Sequence, residues 1–417
     1  MKLKLITALM LLVIYSHVTA QRPCLANEYR QKALLNDPSL VNKLASIEDF
    51  NSRILKNNAT ITMRPDQVNV ITIPVVVHIL YHYPSERINE TQVLNQLKIL
   101  NRDFRRMNAD TTKTPSGFKN FASDCEIEFK LATVDPRNRA TNGIIYKYSP
   151  IKIWESNDKM KFSVEMGDDG WDAGSYLNIW VCRLDRLAGY ASFPGGPPEK
   201  DGIVLDFGAF GLTGNGAYGE GRTAVHETGH WLNLKHTWGD AYCGDDKVDD
   251  TPKQSGYTVG CPSSVRISCS NAPLGDMYMN YMDFTNDACV NLFTKGQKER
   301  MRALFAPGGA RYSILASKGL GIPQNSEIPL PYEPPQWLHT KIYPVPAKDE
   351  LILDIVYDTR WVGKMINIIN LQGQVFDQIL IKSGIQKINI SRLPPGIYFI
   401  AAKRGDGETI KEKFIKL

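Results

Sequence analysis

The sequence HETGHWLNLKH, residues 226–236, decides how the rest of this chain is interpreted. On a helix, His226 and His230 lie one turn apart, so both imidazoles project from the same face. Two ring nitrogens at that spacing can reach one metal ion about 2 Å away, as they do in zinc sites. Glu227 lies one step round the helix, where it can take a proton from a water held by the metal. The alternative is an amphipathic helix that carries two histidines by chance.

A third histidine favours the metal site, provided that the helix ends before it. In a continuous helix His236 would lie ~15 Å along the axis from His226, and the two could not share an ion. The backbone must therefore turn after His230, which usually requires a residue with positive φ. Asn233 stands at this point, and asparagine tolerates positive φ better than most residues. We therefore predict that His226, His230 and His236 bind one catalytic zinc and leave the fourth position to water.

Two further histidines lie upstream of this motif. His78 falls within VITIPVVVHILY (residues 70–81), a continuous apolar run rich in β-branched residues that is typical of a buried strand. His82 directly follows that run. We interpret His78 and His82 as structural residues that do not belong to the predicted metal centre.

Composition limits the classes of function that need to be considered. The chain has 417 residues, too many for one ordinary domain, and its 43% hydrophobic and 22% charged residues are typical of globular domains. The net charge of +5 is spread thinly, and no run of lysine and arginine alternates with aromatic residues. We therefore expect no nucleic-acid partner.

The N-terminal residues are typical of an export signal. Two lysines precede a short apolar run, and small residues precede Gln21, which predicts a signal peptide over residues 1–20. A membrane anchor is the alternative, but the run is shorter than the ~20 residues that a membrane span needs. Residues 21–62 then form a polar, helix-prone pro-segment. Cysteines of exported proteins tend to pair, and the seven in this chain leave one over.

The pattern changes again beyond the pro-segment. Strand-like runs alternate with helix-like segments up to the histidine motif, which predicts a layered α/β domain over residues 63–320. Residues 321–338 are rich in proline and predict a stiff linker. Residues 339–417 contain short β-rich runs separated by glycine, proline or charged turns, which predicts a small all-β sandwich.

The motif and its flanking sequence resemble the pappalysin family of metzincin zinc endopeptidases. The resemblance rests on AVHETGHWLNLKHTWGD (residues 224–240), CGDDKVDDTP (243–252) and NYMDFTNDACVNLFTKGQKERM (280–301), in the family's order. It extends roughly over residues 70–305. It implies a metzincin-like α/β (α+β) catalytic domain with a twisted mixed sheet and an active-site helix, followed here by the separate all-β sandwich.

The resemblance also implies a disulfide framework and a calcium site in the irregular loop after the motif. The implied disulfides are Cys243–Cys269 and Cys261–Cys289. The sequence by itself permits three pairings of these four cysteines. Asp246, Asp249 and Thr251 offer oxygen ligands of the kind that calcium prefers. The alternative for these three residues is a solvated acidic turn.

Further roles follow for residues around the expected cleft. Met282 corresponds to the Met-turn residue, which packs beneath the zinc ligands, whereas we interpret Met277 and Met279 as core residues. The run LNIWVCRLDRLAGYASFPGG (residues 177–196) resembles the family's edge strand, to which an extended peptide would pair by main-chain hydrogen bonds. Phe284 departs from the family, since many relatives carry a tyrosine there that stabilises the oxyanion. Loss of such a donor can reduce the rate ~10²-fold, so we expect activity that is reduced or assisted by another donor.

Cys24 lies in the pro-segment and is the cysteine left over if Cys125 pairs with Cys182. A thiolate is a suitable fourth zinc ligand, and in some pappalysins a pro-segment cysteine occupies the metal in this way. We therefore expect a cysteine switch in which Cys24 binds the zinc of a zymogen. The alternatives are an unpaired bystander or a disulfide from Cys24 to Cys125 or Cys182. The activating cut is expected between Lys56 and Val70.

The C-terminal region resembles the sorting domain of type IX secretion in the Bacteroidetes. The resemblance rests on YPVPAKDELILDI (residues 343–355), INLQGQVF (369–376) and LPPGIYFIAAKRGDGETIKEKFIKL (393–417). It implies export through the periplasm and outer membrane, with the type IX machinery as a partner and no transmembrane anchor. The alternative is a carbohydrate-binding or adhesive sandwich.

Together these patterns predict a secreted zinc endopeptidase, made as a zymogen, that hydrolyses peptide bonds of protein substrates. Glu227 would act as general base toward a zinc-bound water, and zinc and calcium are the expected cofactors. The alternative is a non-catalytic surface protein that binds or adheres and keeps the fold. Glu227 argues against this alternative, because a structural zinc site needs no general base, whereas Phe284 argues for it.

Overall fold

A computed structural model describes residues 24–56, 70–214, 216–325, 327, 339–405 and 409–417. The expected signal peptide, most of the stretch expected to contain the activating cut and most of the proline-rich linker lie outside these residues. Among the residues that are described, no helix has the length and apolar character needed to cross a bilayer.

Two helices form the described part of the expected pro-segment, residues 21–62, for which that name is kept below. Helix α1 spans Ala26–Asn36 and helix α2 spans Leu40–Lys56. Pro38 separates them, because proline cannot donate the main-chain hydrogen bond that would continue α1. Both helices lie against the catalytic domain close to the histidine motif, at contacts described below.

The catalytic domain is built on a mixed sheet. Its strands are β1 (Ile71–Tyr81), β2 (Ile127–Leu131), β3 (Ile144–Tyr148), β4 (Leu177–Cys182), β5 (Gly189–Ala191) and β6 (Ile203–Asp206). Their order in space is β2-β1-β4-β6-β5, and β3 pairs with the second half of β1. These pairings are parallel except for β5, which runs antiparallel to β6 at the edge of the sheet.

Three helices complete the catalytic domain: α3 (Glu90–Phe104), α4 (Arg222–Trp231) and α5 (Lys295–Ala303). Helices α3 and α4 bury their apolar side chains against one face of the sheet and form the main core. Strand β1 is buried along nearly its whole length, as its continuous apolar sequence predicts. The opposite face is covered in part by Leu25 and Tyr29 of the pro-segment.

The C-terminal region is a sandwich of antiparallel strands. These are β7 (Lys341–Tyr343), β8 (Glu350–Asp354), β9 (Met365–Asn370), β10 (Val375–Leu380), β11 (Ile385–Asn389), β12 (Gly396–Lys403) and β13 (Thr409–Lys416). One sheet has the order β10-β9-β12-β13 and the other β11-β8-β7, with a shared apolar core that is separate from that of the catalytic domain. The predicted fold class is confirmed.

The loop that follows α4 contains the two implied disulfides. Cys243 is bonded to Cys269 and Cys261 to Cys289, with Cα–Cα distances of 5.6 and 5.7 Å. These bonds tie together a long segment with little regular secondary structure of its own. They therefore limit the conformations open to the chain between α4 and the Met-turn.

The prediction of a disulfide between Cys125 and Cys182 is wrong. Both cysteines are free and fully buried. Cys125 packs in the core on the α3 side of the sheet, whereas Cys182 on β4 packs in the cluster on the opposite face. Side chains of a strand alternate between faces, so the sheet itself separates the two sulfur atoms. Burial raises the pKa of both thiols, which keeps them protonated.

Candidate active site

Helix α4 ends at the residue where the sequence predicts a turn. Asn233 has a φ of 69°, and its N–H donates to the carbonyl oxygen of His230 at 2.9 Å. The N–H of Leu234 then returns to the carbonyl oxygen of Gly229, also at 2.9 Å. A left-handed residue at this position closes the last turn of a helix and satisfies its final carbonyl groups. The chain reverses here and carries His236 back toward the helix.

The reversal brings three imidazoles together. Nε2 of His230 lies 3.1 Å from Nε2 of His226 and 3.1 Å from Nε2 of His236. Three nitrogen ligands placed about 2 Å from one tetrahedral ion would lie roughly 3.3 Å apart. We refer to these three residues as the histidine cluster. It is fully enclosed, since each of the three side chains is at most 2% exposed.

The hydrogen bond of Nδ1 in each of the three rings fixes which nitrogen carries the proton. Each Nδ1 faces an oxygen that can only accept a hydrogen bond. The acceptors, in the order of the three histidines, are Tyr281 O at 2.7 Å, Leu234 O at 2.8 Å and a carboxylate oxygen of Asp240. Each Nδ1 therefore carries the proton, and each Nε2 presents a lone pair to the other two rings. Three lone pairs so close together repel unless a cation lies between them, so the residues fit a metal ion.

Asp240 is a functional residue that the sequence analysis missed. Burial acts to raise the pKa of its carboxyl group, but the hydrogen bond from His236 outweighs this and holds the pKa below its usual range. The ionised carboxylate orients the ring of His236. The signal was present in the sequence, because Asp240 follows His236 by four residues within HTWGD. A carboxylate behind a metal-binding histidine is a frequent arrangement.

Met282 lies beneath the helix that carries the first two histidines. A Cβ on Gly229 would stand 2.5 Å from Sδ of Met282, so only glycine lets the methionine approach α4 this closely. The neighbouring Tyr281 supplies the carbonyl oxygen that holds His226. Met277 and Met279 pack in a different apolar cluster, away from the histidines.

Glu227 lies between the histidine cluster and the edge of the sheet. Its side chain is buried, and a Cβ on Gly189 would come within 3.1 Å of its Cγ. Gly189 therefore leaves the room on β5 that Glu227 occupies. Cys24 of the pro-segment forms a parallel β-bridge with the same glycine. The pro-segment thus lies along the strand where a peptide substrate was expected to pair, at the level of Glu227.

The structure places Cys24 at the fourth corner of the site. Its Sγ lies 3.6 Å from Nε2 of His230, and the ligand atoms of Cys24 and the histidine cluster all lie within 4.8 Å of one another. The sulfur also accepts a hydrogen bond from the N–H of Ala26, in the first turn of α1. The N-terminus of a helix favours negative charge, which favours the thiolate that a metal would bind.

Aromatic side chains wall the cluster. Trp238 stacks on His236 with ring centroids 4.3 Å apart, and Phe284 packs edge-on against the same imidazole at 4.9 Å. Phe193 lies 5.3 Å from the ring of His230. Phe284 is therefore a packing residue in contact with a histidine of the cluster, and it brings no hydroxyl to the site. Together these rings keep water away from the histidines.

The expected calcium ligands differ in their surroundings. Asp246 accepts hydrogen bonds from Oγ1 of Thr251 at 2.7 Å and from the N–H of Val248 at 3.1 Å, whereas Asp249 is exposed. Burial raises the pKa of Asp246 to about 7. Calcium binding by Asp246, Asp249 and Thr251 stays a prediction.

The fold and the histidine site together define a metallopeptidase. Comparison with known proteins identifies its family. Residues 161–306 match the Peptidase_M43 family, described as pregnancy-associated plasma protein-A, and residues 341–417 match the secretion system C-terminal sorting domain. An extracellular metalloprotease of Arthroderma benhamiae is 30% identical over 263 residues, which are 60% of this chain and 78% of that protein.

Solved structures give the same result. Mature mirolysin of Tannerella forsythia in complex with a cleaved peptide is 47% identical, with 60% of this chain and 97% of that chain covered and a TM-score of 0.58. A mutant of promirolysin from the same organism is 42% identical, with 70% and 96% covered and a TM-score of 0.64. The chain belongs to the Peptidase_M43, or pappalysin, family. It is a secreted metallopeptidase whose C-terminal sandwich is a type IX sorting domain.

Proposed function

We propose that this protein is a zinc endopeptidase, made as a zymogen in which Cys24 is the fourth metal ligand. The convergence of three Nε2 lone pairs and one thiol on a single point carries the proposal. Nitrogen and sulfur donors in a four-coordinate arrangement are the ligands that zinc prefers, whereas calcium takes only oxygen. The likeness to promirolysin supports the zymogen state.

The residues around the site have separate tasks in peptide hydrolysis. When bound, zinc supplies a Lewis acid that acidifies water and polarises the scissile carbonyl group. Glu227 takes the proton from the attacking water and later gives it to the leaving amine. Strand β5 holds the main chain of the substrate, and Gly189 keeps that chain beside Glu227. The carboxylate of Asp240 holds His236 in its binding orientation.

The proposal extends to the processing of the chain. We place the signal peptide at residues 1–20, the pro-segment at 21–62, the protease domain at 63–320, the linker at 321–338 and the sorting domain at 339–417. Protein substrates, zinc and calcium complete the proposal. The N-terminal contacts support a pro-segment, because Cys24 bridges Gly189 on β5 beside the histidine cluster and Tyr29 of α1 packs on Tyr190 of the same strand.

Replacement of the general base tests the enzymatic part of the proposal. We expect Glu227→Ala to retain the zinc content of the wild type, because it removes no ligand. Cleavage of gelatin or a fluorogenic peptide by the activated chain should fall by about 10²–10⁴-fold, the usual contribution of such a base. Equal cleavage by both proteins, or none by either, would instead favour the non-catalytic surface protein.

Replacement of the proposed fourth ligand tests latency. Cys24→Ala should convert to the active form faster than the wild type, because the metal is no longer covered by sulfur. The time course of peptide cleavage by freshly purified full-length chain measures this. Catalysis after full activation should be unchanged, since Cys24 belongs to the removed segment. If the variant cleaves the peptide with the same time course as the wild type, the cysteine switch is contradicted.

A further inference from the structure

A second polar contact joins the pro-segment to the catalytic domain, at the turn that ends α4. Oε1 of Glu48, on α2, accepts a hydrogen bond from Nδ2 of Asn233 at 3.1 Å and a shorter one from Nη2 of Arg300. Arg300 lies on α5 and donates Nε to the carbonyl oxygen of Asn233 at 2.8 Å. One guanidinium thus holds both the main chain of the turn and the carboxylate of the pro-segment.

The contact is electrostatically strong. The side chain of Arg300 is only 2% exposed and that of Glu48 is 30% exposed. Burial acts to raise the pKa of Glu48, but the charge and hydrogen bond of Arg300, the amide of Asn233 and the charge of Lys235 outweigh it and lower the pKa. Glu48 is therefore ionised at neutral pH. A buried guanidinium that loses its carboxylate is left with an uncompensated charge, which is destabilising.

Helix α2 is also attached by a few apolar contacts. Leu40 is buried and Ile47 packs against the main core. Leu44 and Phe50 lie beside Gly195 and Gly308 of the catalytic domain. These side chains are mostly only half-buried, so the contact of Glu48 adds a charged anchor to a modest apolar interface.

We propose that Arg300 and the side chain of Asn233 form a carboxylate-binding site on the catalytic domain, distinct from the metal site. In the zymogen its occupant is Glu48, which acts as a second anchor of the pro-segment that does not depend on the metal. The site also explains the residue at position 233. Glycine would meet the requirement for positive φ with less strain, but it has no amide to donate to a carboxylate.

The proposal takes from the proposed function only the removable pro-segment, so its test should not depend on catalysis. Hydrogen exchange of the α2 amides is measured in the full-length chain carrying Glu227→Ala, with and without Glu48→Gln. Glutamine keeps the shape of the side chain but removes its charge. We expect exchange in α2 to become about 10-fold faster or more, as follows from the loss of a charge-assisted hydrogen bond.

Asp49→Asn is the matched control in the same background. Asp49 neighbours Glu48, is 70% exposed and pairs only locally, with Arg53 at 3.1 Å. We expect wild-type exchange in α2 for this variant. Equal acceleration by both substitutions, or none by Glu48→Gln, would overturn the carboxylate site, because helix charge or apolar packing would then hold α2.

Asn233→Gly tests the site from the catalytic domain. It keeps the positive φ of the turn and removes the amide, so it should accelerate exchange in α2 by a smaller factor than Glu48→Gln. Addition of Glu48→Gln to Asn233→Gly should then accelerate exchange less than it does alone, since the two groups share one interaction. If the two substitutions together accelerate exchange by the product of their separate factors, the shared site is contradicted. A failure of the zinc peptidase proposal would appear separately, as absent zinc or absent cleavage.

Discussion

Two buried histidine sites in this molecule use the same side chain in opposite ways. In the histidine cluster, one nitrogen of each ring binds a protein acceptor and the other faces the proposed metal position. His78 is equally buried, but protein groups occupy both of its nitrogens. Nδ1 lies 2.7 Å from a carboxylate oxygen of Asp168, and Nε2 lies 3.1 Å from Oδ1 of Asn178. Burial alone therefore does not make a histidine a ligand.

The hydrogen bonds around His78 fix the orientation of its ring. The amide of Asn178 is itself oriented by Trp171, which donates its N–H to Oδ1 at 2.7 Å and accepts from Nδ2 at 2.9 Å. Both ring nitrogens of His78 therefore face protein oxygens. Lys147 contacts the carboxylate of Asp168 at 3.1 Å. This site holds two strands and a loop together, whereas the histidine cluster is the proposed site of a cation.

Replacement of histidine by glutamine should reduce metal binding and cleavage at one site and the stability of the fold at the other. We expect His230→Gln to lower metal affinity and peptide cleavage by more than about 100-fold. Loss of a residue that only orients a metal ligand costs up to about 100-fold, and loss of the ligand itself should cost more. His78→Gln should keep its zinc and lower the free energy of unfolding by about 1–3 kcal/mol, because it removes a buried hydrogen bond to a carboxylate. Metal analysis, peptide cleavage and urea unfolding measure these effects. Loss of zinc from His78→Gln would contradict the distinction between the sites.

A smaller change is expected beside the histidine cluster, where Phe284 packs on His236. Phe284→Tyr adds a hydroxyl at the position where many relatives carry one to stabilise the oxyanion. We expect kcat to rise by about 10-fold, less than the ~10² that removal of such a donor costs in an evolved site. KM should change little. The kinetics of the activated enzyme measure this, and an unchanged kcat would mean that another donor already stabilises the oxyanion.

The smallest expected effect is a pH dependence at the structural site. Burial acts to raise the pKa of Asp168, but the hydrogen bond and charge of His78 and the charge of Lys147 outweigh it, so the pKa is lowered on folding. A carboxyl group of this kind stabilises the fold above its unfolded pKa of about 3.9, and the contribution is lost as the pH falls through the folded value.

Urea unfolding at pH 6 and pH 3 tests this sign. The difference in stability between the wild type and His78→Gln should shrink as the pH falls, because protonation of Asp168 removes the ionised acceptor of the hydrogen bond in both proteins. Tryptophan fluorescence follows the unfolding, and Trp180 stacks on His78 with ring centroids 5.1 Å apart. A difference that is the same at both values would show that Asp168 does not gain stability from His78.

Local sequence was sufficient for several features because short-range geometry controls them. The spacing of His226 and His230 follows from the helical repeat, and Asn233 stands where a left-handed residue is needed. The all-apolar sequence of β1 predicts a strand buried on both faces, which the structure contains. The class of enzyme and the sorting domain followed from motifs that the comparisons confirm.

Other features depended on contacts between distant parts of the chain. The prediction of a disulfide between Cys125 and Cys182 was wrong because the two side chains lie on opposite faces of the folded sheet, which the sequence does not reveal. The acceptor of His226 is a main-chain oxygen 55 residues away, and main-chain atoms carry no sequence signature.

A meeting of the three imidazoles at positions 226, 230 and 236 can be expected from local sequence, because helical spacing and the conformational preference of asparagine act over a few residues. The fold sets which nitrogen of each ring faces the proposed metal position, which thiol lies beside it, and that the amide of Asn233 holds Glu48. Protonation and ligation depend on the groups that surround a side chain in space. Packing of the whole domain, and not the neighbouring sequence, supplies those groups.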